Sequence, residues 1–180
     1  QKAQFQINRF DEHGSKLTGR YTSLIKSFDG NYRKKQINIE TETAVRQLDS
    51  ILLTPEAKYI DEITIGCSDL SESMKKPRWD ASFMAQVVEV VKKIQRKNIP
   101  VSVGGGISPE TIDGFLEQVR PDKFNTRVIT FKVEPGRDYC EAVQSALRFE
   151  ILMLEHDSSR KFISRDEEKF RIKELKKRLK

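Results

Sequence analysis

The chain has 180 residues, 37% hydrophobic and 33% charged, the balance of an ordinary soluble globular protein and enough for one domain with a sizeable core. Its net charge of +6 is concentrated in a Lys/Arg-rich tail from Arg160 to the closing KELKKRLK, so nucleic acid is not the expected partner. No apolar run approaches the roughly 18 residues of a membrane span and no signal-peptide core opens the chain, which excludes a membrane protein on this reading. Cys67 and Cys140 lie in unrelated contexts without CxxC spacing, as in a reducing cytoplasm. The opening QKAQFQ lacks an initiator methionine, as a processed or trimmed end does.

In chain order, residues 14–28 carry Leu17, Tyr21, Leu24 and Ile25 at helical spacing, and Asp29-Gly30-Asn31 makes a turn, so residues 1–35 read as a leading helix and turn. Residues 36–40 form a short strand. A helical stripe of Val45, Leu48, Ile51 and Leu52 follows over 43–53 and stops before Thr54-Pro55. Residues 60–66 are a β-branched strand; after a loop, Val87, Val88, Val91 and Ile94 mark a helix over 83–94. Residues 99–103 form a third strand. Gly104-Gly105-Gly106 then turns into Ile107-Ser108-Pro109-Glu110, read as a Ser N-cap with Pro at the first helical position of a helix ending near Val119. A fourth strand is expected over 124–133 and a long helix over 139–154. Four βα units over 36–157 imply an α/β fold with a parallel sheet and right-handed crossovers, either half of an eight-stranded barrel or a small doubly wound sheet. Residues 158–180 form a basic helical tail with Phe162, Phe170, Ile172, Leu175 and Leu179. It is either a solvated helix end or a helix that docks on a partner subunit.

Two carboxylates stand where apolar strand runs stop: Glu40 after INI and Asp69 after ITIGCS. Residues just past parallel strand ends converge on one mouth, where a pair of hard oxygen donors can hold a divalent cation; a helix cap or salt-bridge role is the alternative. Glu42 reads as a first-turn helix acid favoured by the macrodipole. Gly66 permits close backbone approach, and the amides of Gly66, Cys67 and Ser68 can bind a substrate carboxylate. Cys67 itself reads as a packing residue, since no histidine lies near it; His13 and His156 are expected to face solvent. The run Gly104, Gly105, Gly106 presents amides to an anion or makes only a tight βα turn. Alternation within FNTRVITF puts Arg127 on one side with Asn125 and Ile129, pointing inward to pair with an acidic ligand or with a core carboxylate. Trp79 lies in the loop after Asp69, where a lid would form.

The stretches IETETAVRQLDSIL and IDEITIGCSDLSESM resemble the metal-dependent 2-oxo acid aldolase and citrate lyase β-subunit-like family, a branch of the phosphoenolpyruvate/pyruvate-utilising TIM barrels. The resemblance covers residues 36–154 and implies the C-terminal half of the barrel. It implies Glu40 and Asp69 as ligands of Mg2+ or Mn2+, and carbon–carbon lyase chemistry on a 2-oxo acid or related acyl substrate through a metal-stabilised enolate. The family takes its substrate-orienting Arg and acid/base His from earlier strands that this sequence does not contain. It also has a glycine after its DLS.S segment, where this chain continues Ser73-Met74-Lys75-Lys76. A missing N-terminal half-barrel or a homo-oligomer is therefore expected, because a half-barrel leaves strand edges open. The rival class is a catalytically inactive barrel-derived module that binds an anionic ligand or a partner subunit.

Overall fold

The computed structural model describes residues 35–179 and the two-residue strand Gln4–Phe5; the helix expected over 14–28, the turn after it and His13 lie outside the described residues. Six strands form one sheet in sequential order: β1 (Gln4–Phe5), β2 (Gln36–Ile39), β3 (Glu62–Gly66), β4 (Val101–Gly104), β5 (Lys123–Asn125) and β6 (Thr130–Lys132). The first five run parallel and β6 returns antiparallel. The order contains no reversal of the kind that a doubly wound sheet has. Right-handed crossovers that always step the same way place the connecting helices on one face.

Seven α-helices are described: α1 (Glu42–Arg46), α2 (Leu48–Leu52), α3 (Cys67–Ser73), α4 (Ala81–Gln95), α5 (Ile112–Val119), α6 (Cys140–Ser159) and α7 (Arg165–Arg178), with a 3-10 turn at Pro55–Tyr59. Strand alternation divides the sheet's two faces. Ile37, Ile39, Ile63, Ile65, Val101, Val103 and Phe124 join the helices in the core, with Phe83, Val87, Val91 and Ile94 of α4. The other face is polar. There the Gln36 side chain donates to Thr64 Oγ1, Thr64 and Ser102 hydroxyls pair at 2.7 Å, Asn125 Nδ2 donates to Ser102 Oγ at 3.2 Å, and Lys123 pairs with buried Glu62 at 2.5 Å. Thr64, Ser102 and Glu62, all buried, thus find partners across the sheet.

Several boundaries differ from the sequence reading. The helix expected over 43–53 is two short helices meeting at Gln47. The loop expected after Gly66 is helical: α3 starts there and ends in a left-handed turn, with Lys75 at φ 53, Lys75 N–H donating to Glu72 O and Lys76 N–H to Ser71 O. Ser108 does not cap a helix that has Pro109 first; it closes a turn with Thr111, and α5 begins only at Ile112. The single strand expected over 124–133 is a hairpin. Thr126 N–H donates to Ile129 O at 3.0 Å and Thr130 Oγ1 to Asn125 Oδ1 at 2.7 Å, turning the chain back. Stacking of Phe124 on Phe131 holds the hairpin, and Tyr139 clasps it by donating to Lys132 O and accepting from Glu134 N–H.

The basic tail packs on its own chain. Leu175 of α7 is buried, with Ile163, Ile172 and Leu179 against the core, while Phe162 and Phe170 stay exposed. Among the described residues no helix is long and apolar enough to cross a membrane.

Candidate functional site

Glu40 follows β2 directly, and Thr41 then caps α1 by accepting from Ala44 N–H, so the chain turns sharply at the strand end. The Glu40 side chain lies across the end of β3: a Cβ on Gly66 would sit 2.7 Å from Glu40 Cγ and 3.0 Å from Oε1. Only a glycine at that strand end lets the carboxylate cross. Asn38, on the same face of β2, donates from Nδ2 to Glu40 Oε1 at 3.3 Å, while its own Oδ1 is buried with no partner among the described residues. The Glu40 carboxyl is raised above its ordinary 4.5, first by burial and then by the charge of Asp69; the Asn38 bond opposes this. Asp69 stands in the first turn of α3, where the helix dipole favours it. Among the described residues neither acid has a Lys or Arg in salt-bridge contact. The two acids singled out in the sequence are thus brought together, and no Lys or Arg among the described residues pairs with them. Glu42 by contrast is a first-turn helix acid paired with Arg46.

The glycine turn is brought to the same end of the sheet. Gly66 and Gly104 are register partners, and Gly105 presses on the start of α3: a Cβ there would lie 2.6 Å from Ser68 N and 3.2 Å from Cys67 N. Gly105 and Gly106 both have left-handed backbones, φ 102 and 77. A Cβ on Gly106 would collide with Arg78 Nη1, which donates to Ser68 Oγ at 3.0 Å. From the other side Arg178 of α7 donates twice to the Ile107 carbonyl, from Nε at 2.9 Å and Nη2 at 2.6 Å. Cys67 is buried and its thiol is pushed up to about 12 by that burial, against the pull of Arg78, so it packs rather than reacts.

Arg127 is the site residue that the structure moves. It lies in the β5–β6 turn at φ 103, not inside a strand, and is exposed, with Nε 3.9 Å from Glu150 Oε1. Its partner is the buried carboxylate of α6, the alternative that strand alternation had left open. Arg171 stands 3.9 Å from the same oxygen, while Glu150 Oε2 and Arg171 Nε have no hydrogen-bond partner among the described residues. His156 faces solvent at the end of α6. Trp79 is partly exposed and sets its ring edge-on to Phe115 at 6.0 Å.

Three residues here were not singled out by sequence: Asn38, Arg78 and Arg178. Asn38 had a readable signal, since strand alternation puts it beside Glu40. The arginines had none, because a loop and a tail helix reach the turn only through the fold. No family model matches the chain, and no curated protein matches it. Among the described residues no group of three or more His, Cys, Asp or Glu side chains gathers. The carboxylates are a pair, and a divalent cation would take its remaining oxygen ligands from substrate and water. That donor set fits Mg2+ or Mn2+: hard oxygens, two negative charges, and mutual repulsion that a cation relieves. A separate cleft of about 860 Å3 lies between the end of α6 and the start of α7, lined by Glu155, Phe162, Arg165 and Lys169. None of the residues at the strand ends lines it.

Proposed function

We propose that the protein is a divalent-metal-dependent carbon–carbon lyase acting on a 2-oxo acid or related acyl substrate, with Glu40 and Asp69 as the ligands of Mg2+ or Mn2+. The observation that carries this is the convergence of two carboxylates, unpaired by any Lys or Arg among the described residues, at the C-terminal ends of adjacent parallel strands. Parallel sheets assemble ligand sites at that end. A divalent cation, when bound, supplies Lewis acidity to the keto and carboxylate oxygens of such a substrate. The chain's own part is positional. Asn38 orients Glu40, Gly66 leaves room for its carboxylate, and the amides at Gly66, Cys67 and Ser68 offer hydrogen bonds to the substrate carboxylate.

The sequential parallel order, with helices on one face and polar side chains on the other, supports reading residues 36–157 as half of a (β/α)8 barrel whose polar face turns to the interior. On that reading the general base comes from strands beyond these, in a further segment or a second copy of the chain. The rival, an inactive module for an anionic ligand, shares the glycine turn but needs no metal.

Calorimetry with Mn2+ decides between them, with and without oxalate as a mimic of a pyruvate enolate, on the wild type and on Glu40→Gln and Asp69→Asn. Micromolar binding that oxalate tightens and either substitution abolishes is the expected result. A folded wild type that binds no Mn2+ refutes the lyase reading.

A further inference from the structure

The turn after β4 has two consecutive backbone N–H groups, at Gly106 and Ile107, for which no acceptor is found among the described residues. Gly106, at φ 77, turns the chain there, and consecutive free amides in a turn are the kind of backbone that receives anions. Two half-buried guanidinium groups flank that run from opposite sides. Arg78 lies against Gly106 and is fixed by Ser68 Oγ; Arg178 is fixed through two bonds to the Ile107 carbonyl. These anchors use one donor nitrogen of Arg78 and two of Arg178, leaving further N–H groups on each.

No carboxylate is in salt-bridge contact with either guanidinium among the described residues: Glu150 is engaged by Arg127 and Arg171 at 3.9 Å, and Glu174 by Lys177 at 2.6 Å. Burial together with the charges of Arg78 and Arg127 destabilises the Arg178 cation, and Glu150 only partly offsets this. Two positive charges held beside two open amides are therefore short of a counter-charge. A carboxylate supplies one negative charge and two oxygens. A phosphate monoester supplies nearly two charges and three terminal oxygens, which matches both guanidinium groups and the amides together.

We propose that Arg78, Arg178 and the backbone amides of Gly106 and Ile107 form a clamp for the phosphate monoester of a phosphorylated ligand. Ser68 joins this clamp to Asp69, its neighbour in sequence. On the lyase reading, on which this assignment of the ligand rests, the phosphate is the far end of the oxo acid whose reacting end meets Glu40 and Asp69. The clamp itself can be tested without that reading.

The test is calorimetric titration of the full chain at pH 8 with inorganic phosphate, in chloride buffer without divalent metal, with acetate as the monoanion control. The wild type should bind phosphate saturably and acetate at least about tenfold more weakly. Arg78→Gln and Arg178→Gln should each weaken phosphate by about tenfold or more, while Glu40→Gln leaves it unchanged. Circular dichroism and thermal melts check that each variant is folded; if Arg178→Gln is not, Arg78→Gln decides, since that side chain sits in a loop. The proposal is overturned if the folded wild type binds no phosphate, if acetate binds equally well, or if Arg78→Gln binds as the wild type does. Loss of Mn2+ binding with phosphate binding retained would sink the metal assignment alone, and the reverse would sink the clamp alone.

Discussion

Leu175 tests whether the basic tail belongs to the fold. It is the buried residue of α7, 4% exposed, on a helix whose Arg178 reaches the glycine turn. Leu175→Ala removes three carbons, worth about 0.8 kcal/mol each in transfer from water. A cavity term adds to that, within the roughly 2–5 kcal/mol of such substitutions in cores. A surface helix relaxes into part of the cavity, so about 3 kcal/mol is expected. For a domain of this size each kcal/mol lowers Tm by roughly 2–4 °C, a fall of roughly 6–12 °C. Phe170→Ala on the same helix is the control, because Phe170 is 67% exposed and should change stability by less than about 0.5 kcal/mol. Urea and thermal melts of the three proteins read this directly. If both variants melt with the wild type, α7 is not packed in solution, and Arg178 loses the anchor on which the anion clamp depends.

Glu40→Gln should alter how stability depends on pH. The folded Glu40 carboxyl holds its proton more tightly than the unfolded one, whose ordinary value is 4.5, so the metal-free folded state binds more protons and loses stability as pH rises through that window. Glutamine removes the effect: relative to wild type, Glu40→Gln should gain stability as pH rises from below 4.5 through the raised value, and a flat or opposite trend in urea midpoints refutes it. With saturating Mn2+ the wild type should reverse this trend, since the cation binds the ionised form. Thiol titration with a disulfide reagent at pH 8 should modify Cys140 alone in the folded protein and both cysteines in denaturant, because Cys67 is buried with its thiol pushed up to about 12; fast reaction of Cys67 counts against its burial. Lys75→Gly should stabilise by about 1 kcal/mol, relieving a side chain held at φ 53 at the end of α3. Destabilisation in thermal melts would mean that the lysine side chain supplies something the backbone argument omits.

Much of the sheet was legible because the strands alternate cleanly. In QINI, EITIG and VSVG the Ile and Val residues fall on one face and polar or small residues on the other. The meeting of Glu40 and Asp69 was legible for the same reason, since adjacent parallel strands put their ends side by side. Other features were set by terms that local pattern does not carry. FNTRVITF alternates like one strand, yet the Thr126–Ile129 and Thr130–Asn125 bonds and the aromatic cluster around Tyr139 favour a hairpin. CSDLSES has too few apolar residues for a helical stripe; Cys67, Leu70 and Ser71 are buried at helical spacing only once β3 and β4 are beneath them. Arg178 lies 71 residues from the carbonyl that it holds. Its charge had been read only as part of a basic tail, either solvated or docked on a partner subunit.

The two halves of the mouth have opposite electrostatic problems with one physical origin. Glu40 is raised first by burial and then by Asp69; Arg178 is lowered first by burial, with Glu150 opposing and Arg78 adding to it, so each charge is held buried beside a like one. Such arrangements cost folding stability and are characteristic of sites that trade it for binding. If the strand-end residues served only the fold, the acids would be expected to bond to the arginines, since residues 66–69 and 104–107 already touch through Gly105 and Ser68. Instead Arg78 bonds to the serine next to Asp69 and Arg178 to a backbone carbonyl. Keeping the charges segregated leaves a cation-seeking end and an anion-seeking end on one rim. A metal at the first and a phosphate at the second would each relieve repulsion that the ligand-free chain carries, so both ligands should raise its melting temperature, and their stabilising effects should add if the two ends are independent.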